Sequence, residues 1–358
     1  MKHILDRFQH EGTYLKHESY GGGHINDTYL VTCTHPFRQY VLQWINHRVF
    51  HRIPEVMMNI ERVTEHMKKQ YLDEGIDPKD KVLSFIPTLD GSSYYLDGED
   101  HYRLFHFIHN SISYEQVPHP RYLELAGEAF GEFQKRLHAF DPNELFETIP
   151  DFHHTPKRFQ VFKDALKQAI PIRLEEAKDW IDFILSKEGY ADLIIRGMEQ
   201  KMIPLRVTHN DTKINNILFD KSTASIQCIV DLDTVMPGSL LYDYGDAIRF
   251  GCSTAREDET DLEKIDLDLE KYETFTKGFI RPLKDLMTKT EFDYLPMSAI
   301  IITLELGMRF LMDYLLGDVY FKIHRDKHNF DRAKSQLTLV KKMEEKIIEM
   351  TTIVNIYR

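Results

Sequence analysis

A change of hydrophobic pattern near residue 110 constrains the fold more than any other feature of the sequence. Before it, apolar and polar residues alternate over 12–20, 27–33 and 40–46, which is typical of half-buried strands. Residues 92–108 read as two strands joined by an Asp-Gly turn. Beyond residue 110, apolar residues recur mainly at helical spacing. The sequence therefore predicts an α+β chain in which a small antiparallel sheet precedes a large, mainly helical region.

Helical periodicity locates two of the expected helices. One lies within 55–70 and would cross the sheet, and the other, over 121–140, would begin the helical region. Their apolar faces consist of Val56, Ile60, Val63 and Met67 in the first helix and of Leu123, Ala126, Phe130 and Leu137 in the second. We expect two lobes, formed by residues 1–108 and 109–358.

Composition and charge exclude several classes of protein. A net charge of −12 over 358 residues does not provide the basic face that nucleic-acid binding requires. The three cysteines are too few and too scattered for a disulfide framework or a zinc site, and the N-terminus lacks an apolar stretch of signal-peptide length. We therefore expect a soluble, cytoplasmic protein that binds neither nucleic acid nor membranes.

Two apolar segments near the C-terminus have alternative interpretations. Residues 295–316 are long enough to suggest a membrane span, but Glu305, Arg309 and Asp313 lie on one helical face, where hydrocarbon would penalise them. A buried helix with one polar edge is predicted instead. A stripe within 333–354 predicts either packing on the helical lobe or a dimer seam, so the oligomeric state stays open. The stripe consists of Leu337, Val340, Ile347 and Val354.

The segment VTHNDTKINNILFD, residues 207–220, places polar residues in the order H-x-D-x-x-x-x-N directly before an apolar strand. A second short apolar strand, CIVDLD, ends in Asp231 and Asp233. The simplest alternative is a polar turn whose side chains bond their own backbone. Two neighbouring strands that both deliver oxygen-bearing side chains favour a catalytic loop.

Phosphoryl transfer requires the residue types found here. A carboxylate must accept the proton of the attacking hydroxyl, and oxygen ligands must hold Mg²⁺ against the nucleotide phosphates. Asp211 is predicted to be that carboxylate, and Lys213 is placed to meet charge on the transferring phosphate. The predicted metal ligands are Asn216, Asp231 and Asp233, the last with the alternative of simply ending its strand. His209 is interpreted as a structural residue of the loop.

A glycine cluster near the N-terminus is the candidate phosphate-binding loop. Gly21, Gly22 and Gly23 allow backbone amides to approach phosphates closely, and strands flank them on both sides. The segment is neither a Walker A loop nor a G-x-G-x-x-G motif, because Asn26 stands at the last glycine position. A plain hairpin turn is the alternative.

The third predicted strand has Gln43 where kinases usually place a lysine that contacts the phosphates. Glu61 on the following helix is the predicted remaining partner, or else a solvated helix residue. A neutral amide cannot balance phosphate charge, so either Arg38 or Mg²⁺ alone takes over, or the fold is catalytically weak. The backbone of Phe107 and Ile108, between the lobes, is expected to bond the adenine edge.

Taken together, these residues resemble the aminoglycoside phosphotransferase and choline kinase superfamily, which has a protein-kinase-like fold. The resemblance rests on the loop 211–216, the strand before Asp231, and PGSLLYDYGDAIRF at 237–250, which is similar to that superfamily's P-x-x-x-D-L-A helix start. It implies a two-lobe α+β small-molecule kinase that uses ATP and Mg²⁺. It also implies that Asp243 buttresses the catalytic loop.

A closer resemblance is to the N-acetylhexosamine 1-kinases. The strings YGGGHIN, LRVTHNDTKINNIL, VDLDTVMPGS, YDYGDAIRFG and ELGMRFLMDYL are similar to theirs in order and spacing, and that subfamily also has glutamine at the third-strand position. The resemblance implies phosphorylation of the anomeric O1 of N-acetylglucosamine or N-acetylgalactosamine. The sugar would contact Asp211, His24, Phe250 and Arg309. From the residues alone, His24 could be an exposed loop residue, Phe250 a core residue, and Arg309 the centre of a charge triad with Glu305 and Asp313.

Two other functions stay open. A kinase of another small molecule, such as an aminoglycoside or choline, would need an acidic pocket for its cationic acceptor, whereas a neutral sugar needs mixed donors and aromatic residues. A non-catalytic nucleotide-binding scaffold is suggested by Gln43. Such a scaffold would have no need to retain Asp211, Asn216 and Asp231.

Overall fold

The computed structural model describes residues 1–21 and 25–358. The chain divides into two compact units. The first consists of Met1–Ser113, Ala139–Pro150 and Asn216–Pro237, and the second of Tyr114–His138, Asp151–Asn215 and Gly238–Arg358. The predicted lobe boundary after residue 108 lies near the end of the first segment, but two later segments also belong to the first unit.

A five-stranded antiparallel sheet forms the centre of the first unit. After a short helix, α1 (Lys2–Leu5), its strands are β1 (Thr13–Ser19), β2 (Asp27–Thr34), β3 (Arg38–Ile45), β4 (Tyr95–Asp97) and β5 (Asp100–His106). Their order is β1-β2-β3-β5-β4. The core on this sheet includes Val31, Leu42 and Leu104, which are buried together with Ile4 and Phe8 from the N-terminus. The predicted strands and the predicted hairpin are all present.

The helix α2 (Ile53–Asp73) attaches the later segments to the first unit. Its predicted apolar face, Val56, Ile60, Val63 and Met67, is buried. The buried Asn59 on the same helix donates from Nδ2 to the carbonyl oxygens of Phe146 at 2.8 Å and Val235 at 2.9 Å. These hydrogen bonds explain why residues 139–150 and 216–237 group with the sheet and not with the helices that precede and follow them.

Short strands complete the β-structure. They are β6 (Ser111–Ile112), β7 (Arg206–Thr208), β8 (Ile217–Asp220), β9 (Ile226–Ile229) and β10 (Met236–Gly238). In the first unit, β6, β8 and β9 form an antiparallel sheet in that order, and β8 and β9 are a hairpin in which Ile217 is paired with Ile229. The strand β7 belongs to the second unit.

The second unit is built from helices. They are α3 (Pro120–Arg136), α4 (Thr155–Leu166), α5 (Pro171–Glu176), α6 (Lys178–Ser186), α7 (Leu193–Glu199), α8 (Leu240–Gly251), α9 (Leu269–Leu283), α10 (Lys289–Leu316), α11 (His328–Glu345) and α12 (Ile347–Tyr357). The predicted stripe of α3 is buried. This helix packs closely on α9, since a Cβ atom at Gly127 would lie 2.3 Å from the Phe275 carbonyl oxygen.

The long helix α10 lies in the interior of the second unit. It begins with a capping box, in which Thr288 Oγ1 accepts the Glu291 N–H at 3.1 Å and Glu291 accepts the Thr288 N–H at 2.8 Å, and it ends at the left-handed Gly317. Length and composition alone would allow α10 to cross a membrane, but 78% of its most apolar window is buried in this unit. Contacts with α4, α8 and α11 account for its apolar surface.

The predicted C-terminal helix is two helices, α11 and α12. Leu337 and Val340 on α11 and Val354 on α12 are buried, and these helices pack against α10 and α9 of the same unit. The apolar stripe is therefore covered largely within the chain, as expected for the packing alternative.

Candidate active site

The loop after β7 is held by a buried carboxylate of α8. Asp243 accepts hydrogen bonds from the backbone N–H groups of His209 at 3.0 Å and Asn210 at 2.8 Å, and from Gln134 Nε2 at 2.7 Å. Burial raises the pKa of the Asp243 carboxyl, and these donors oppose that shift. Asn210 adopts a left-handed backbone conformation, with φ of 64°. The contacts to Asp243 fix this unusual backbone immediately before Asp211.

Asp211 and Lys213 form an ion pair in this loop. Lys213 Nζ lies 2.6 Å from Asp211 Oδ1, and the two side chains remain 33% and 26% exposed, respectively. Burial lowers the pKa of Lys213, but the negative charges of Asp211 and Asp246 outweigh burial and raise the pKa above its usual value. Lys213 is therefore an ammonium ion at neutral pH. The pair presents a carboxylate and a cation that a ligand can reach.

A second aspartate of α8, Asp246, supports this pair from behind. Asp246 accepts the Thr212 N–H at 3.1 Å and is paired with Arg249 through Nε at 3.0 Å and Nη2 at 2.8 Å. Burial raises the pKa of Asp246, yet the nearby charges of Arg249 and Lys213 lower it overall. Asp246 is thus held as a carboxylate, and its negative charge stabilises the Lys213 ammonium.

In the first unit, Asn216 and Asp231 lie at the same end of the β8–β9 hairpin. Asn216 precedes β8, and its carbonyl oxygen accepts the Val230 N–H at 2.9 Å, directly before Asp231. An amide and a carboxylate are oxygen ligands of the kind Mg²⁺ prefers. Over residues 1–21 and 25–358, no group of three His, Cys, Asp or Glu side chains could hold a metal. The residues fit a Mg²⁺ ion that takes its other ligands from nucleotide phosphates and water.

Asp233 has a different environment from Asp231. Its buried carboxylate accepts two hydrogen bonds from Arg103, at 2.5 and 3.0 Å, and one from Asn26 Nδ2 at 2.6 Å. Both oxygens are therefore occupied by protein donors. The geometry gives Asp233 a structural contact in place of the predicted metal contact, and we retain only Asn216 and Asp231 in the metal set.

The predicted phosphate loop is only partly described. Gly21 has a φ of +76°, a conformation that favours glycine, and the neighbouring Tyr20 N–H donates to the Thr28 carbonyl at 2.9 Å. The predictions for Gly22, Gly23 and His24 concern residues outside the described ranges. Beyond them, Asn26 bonds Asp233 and accepts the Asn46 N–H at 3.0 Å. An asparagine at this position anchors the start of β2, which glycine could not do.

Gln43 has a cationic neighbour. Its cross-strand partner on β5 is Arg103, whose Nε donates to Gln43 Oε1 at 2.9 Å. The alternative cation, Arg38, instead pairs with the exposed Glu11 at 2.7 Å, near the start of β3. Among the residues that the structure describes, no cation lies within ion-pair distance of Glu61. Arg103 instead contacts Met57, one turn earlier on α2. The acidic partner of this cation is Asp233, where the sequence had suggested Glu61.

The connection after β5 places Phe107 and Ile108 differently. The Phe107 ring is half-buried and makes an edge contact with Tyr20, with ring centroids 5.7 Å apart. Ile108 is buried, and its carbonyl oxygen accepts the Ser111 hydroxyl at 2.7 Å. Phe107 therefore lies beside the start of the glycine segment, where an adenine ring is expected.

Arg309 on α10 is surrounded by aromatic rings. Its guanidinium carbon lies 5.9, 6.0 and 5.4 Å from the ring centroids of Phe152, Tyr320 and Phe321. Burial lowers the pKa of Arg309, and the positive charge of Arg158 adds to that shift. In the part of the chain that the structure describes, no carboxylate lies within 4.0 Å of its nitrogens.

The alternative charge triad around Arg309 is not formed. Glu305 pairs with His153 at 3.0 Å and accepts the Thr155 hydroxyl at 2.9 Å. Asp313 accepts three backbone N–H groups of residues 319–321. Arg309 is thus held by the Tyr320 side chain and the surrounding rings and not by an ion pair among the described residues. Phe250 lies half-buried at the last turn of α8.

A chain of contacts within the second unit links the Arg309 region to the catalytic loop. Phe152 contacts Arg309, and the adjacent His153 pairs with Glu305. His153 also acts electrostatically on Asp246, whose negative charge raises the pKa of Lys213. The buried charges around Glu305 and around Asp246 therefore influence each other within the second unit.

Comparison with known proteins decides the family. Residues 16–275 match the phosphotransferase enzyme family, known as APH. The chain belongs to this family.

Solved structures of small-molecule kinases share the fold of this phosphotransferase. They include a microcompartment-associated aminopropanol kinase (16% identity, 98% of this chain and 97% of that chain covered, TM-score 0.63). An aminoglycoside phosphotransferase from Alicyclobacillus acidocaldarius is also similar (11%, 99% and 96%, 0.65). So is a spectinomycin phosphotransferase in complex with ADP and spectinomycin (14%, 91% and 94%, 0.51). These similarities confirm the protein-kinase-like α+β fold. The family match over residues 16–275 confirms the resemblance at family level.

Two residues of the phosphotransferase site escaped the sequence analysis. Arg103 carries a signal, since it is a charged residue inside an apolar strand, next to the strand that lacks the usual lysine. Asp246 carries another, because it lies one helical turn after Asp243 and one turn before Arg249. In each case the sequence shows that a charged residue lies within an apolar strand or helix, but it does not show which residue pairs with that charge.

Proposed function

We propose that this phosphotransferase transfers the γ-phosphoryl group of ATP, with Mg²⁺, to the anomeric O1 of N-acetylglucosamine or N-acetylgalactosamine. The observation that carries phosphoryl transfer is the Asp211–Lys213 pair, which is partly exposed on a loop held by Asp243. Family membership supports the reaction class. The resemblance of the sugar-site strings supports the acceptor.

The proposed reaction assigns a role to each of these residues. As the acceptor oxygen bonds to the γ-phosphorus and the bond to the β-γ bridging oxygen breaks, Asp211 accepts the hydroxyl proton, leaving ADP and a sugar 1-phosphate. Asn216 and Asp231 would hold Mg²⁺, which offsets the negative charge of the β and γ phosphates. Lys213, whose Nζ lies 2.6 Å from Asp211 Oδ1, orients that carboxylate before the acceptor arrives.

The charge around Arg309 favours a neutral acceptor over a cationic one. Arg158 donates to the Phe152 carbonyl at 3.0 Å, and in the described chain neither Arg158 nor Arg309 has a carboxylate within ion-pair distance. The positive charges of Arg158 and Arg309 share the negative charge of the buried Glu305 carboxylate, which also pairs with His153. The excess positive charge would repel the ammonium groups of an aminoglycoside or choline. A sugar offers hydroxyl and carbonyl oxygens to these donors and an apolar ring face to the aromatic rings.

The position of the attacked hydroxyl can be tested directly. The anomeric hydroxyl is the most acidic on the sugar, so an ordinary aspartate suffices as base when the acceptor points O1 at Asp211. We expect N-acetylglucosamine to be phosphorylated and its methyl glycoside, with O1 blocked and every other hydroxyl free, to be inert. Phosphorus NMR of both sugars incubated with enzyme and Mg-ATP measures this. Equal phosphorylation of the two, or a product phosphorylated at O6, would exclude the 1-kinase function.

Replacing Arg309 with Met should weaken acceptor binding selectively. The change removes the guanidinium donors but retains much of the apolar contact with the rings, so KM for the sugar should rise about tenfold, equivalent to about 1.4 kcal/mol. KM for ATP should stay unchanged. Arg7→Met is the matched control, because Arg7 also lies over a ring, 5.5 Å from the Tyr95 centroid. Parallel rises in both KM values would show that Arg309 acts on the fold and not on the acceptor.

A further inference from the structure

A row of polar side chains crosses the sheet where a kinase usually has its lysine. Thr28 on β2, Gln43 on β3 and Arg103 on β5 are cross-strand partners. Gln43 Nε2 donates to Thr28 Oγ1 at 2.9 Å, and Arg103 Nε donates to Gln43 Oε1 at 2.9 Å. The Gln43 amide thus links the two neighbours, because its NH2 group donates to Thr28 and its oxygen accepts from Arg103. A lysine there would place a second cation against Arg103.

Arg103, at one end of this row, binds the turn that follows β9. Arg103 binds both oxygens of Asp233, and each of the two side chains is only 2% exposed. Asn26 supplies a third donor to the same carboxylate. The pair is therefore neutral as a whole, and both partners are hydrogen-bonded, which is the condition under which a buried ion pair is tolerated.

The turn that Arg103 binds contains Asp231, the proposed metal ligand. Asp231 has left-handed backbone angles, φ 60° and ψ 58°, and a short 3-10 helix, Leu232–Thr234, follows it. Aspartate and asparagine adopt this conformation more readily than other non-glycine residues, and here it reverses the chain direction after β9. Arg103 holds the turn through Asp233, and Asn59 of α2 holds it through the Val235 carbonyl. These two anchors hold the backbone on the C-terminal side of Asp231.

We propose that Arg103 is a positioning residue of the phosphotransfer site, which takes over the cation position beside Gln43 and orients Asp231 through Asp233. The inference rests on the proposed function, since it assigns Asp231 to Mg²⁺. Arg103 is not placed as a phosphate ligand, because its side chain is only 2% exposed and its guanidinium is bonded to Gln43 and Asp233. In other kinases the lysine at this position contacts the phosphates itself, whereas here the charge of Arg103 holds the proposed metal-binding turn in place.

Calorimetric titration of ADP, with and without Mg²⁺, tests this role apart from turnover. Wild-type protein should bind ADP more tightly when Mg²⁺ is present. Arg103→Met should reduce that Mg²⁺-dependent gain about tenfold, the size usual for residues that orient a metal ligand, with little change in metal-free ADP binding. Lys187→Met is the control, because Lys187 forms another two-contact ion pair, with Glu344 at 2.6 and 2.8 Å, far along the chain from this turn.

A double variant separates positioning from stability. Arg103→Met leaves Asp233 buried and unpaired, so its Tm should fall, whereas Arg103→Met with Asp233→Leu buries an apolar pair and should recover the Tm. The Mg²⁺-dependent gain should stay low in the double variant, because the anchor is still absent. If Mg²⁺ raised the ADP affinity of either Arg103 variant as much as it does for the wild type, the proposed role of Arg103 would be wrong. Wild-type protein that binds no ADP would instead overturn the proposed function.

Discussion

Replacing Asp211 with Asn is expected to lower kcat at least about 100-fold while Mg-ATP binding survives. The amide has nearly the shape of the carboxylate but cannot accept the proton of the attacking hydroxyl, and loss of a general base costs 10²-fold or more. The loop should keep its conformation, because Asp243 and Asp246 bind the backbone of His209, Asn210 and Thr212. Initial rates and calorimetric ATP affinity measure the two effects separately.

The matched control for this variant is Asp164→Asn. Asp164 also forms an aspartate–lysine pair, with Lys167 Nζ at 2.7 Å, but on the surface of α4. Breaking an exposed pair of this kind costs at most about 1 kcal/mol of stability and should leave turnover intact. An Asp211→Asn enzyme that retained more than about a tenth of wild-type turnover would exclude Asp211 as the base.

Most of the correct fold predictions came from the local pattern of apolar and polar residues. Strand alternation and helical periodicity depend only on near neighbours in the chain, and the buried face of α2 follows directly from the spacing of its apolar residues. His209 is likewise fully buried, with its ring against Phe130 and Phe133 at 5.7 and 5.8 Å, as its interpretation as a structural residue required. The family strings then placed the catalytic loop in this framework.

Partner choice across the chain could not be predicted. Arg103 and Asp233 are separated by 130 residues, and His153 and Glu305 by 152, so no local spacing connects them. The helical spacing of Glu305, Arg309 and Asp313 suggested an internal triad. Burial decided otherwise, because the two carboxylates had to satisfy distant donors that would have been unpaired without them.

The same competition explains Asp233. From sequence, two aspartates two residues apart after one strand are equivalent candidates for a metal. In the structure, the left-handed turn at Asp231 leaves its side chain exposed, whereas Asp233 is turned into the unit and paired with Arg103. A single backbone conformation thus separates a proposed ligand from a structural anchor, and it is not encoded in the residue types themselves.

Replacing Asp231 with Asn should damage Mg²⁺ dependence more than any other single change in the first unit. The amide keeps one oxygen ligand but removes the negative charge that balances the cation, so the Mg²⁺ concentration for half-maximal activity should rise at least about tenfold. Turnover at saturating Mg²⁺ should fall less than in Asp211→Asn, since the base is intact. Rates measured over a Mg²⁺ titration at saturating ATP separate these two parameters.

Asp220→Asn provides the control at the other end of the same hairpin. Asp220 ends β8 and accepts the backbone N–H groups of Ser222 and Thr223, both at 2.8 Å, so its carboxylate caps a turn. Its loss should cost stability alone and leave the Mg²⁺ titration unchanged. If Asp231→Asn and Asp220→Asn gave the same titration curve as the wild type, Mg²⁺ would have to bind without Asp231. The strained turn that Arg103 and Asn59 maintain would then have no part in metal binding.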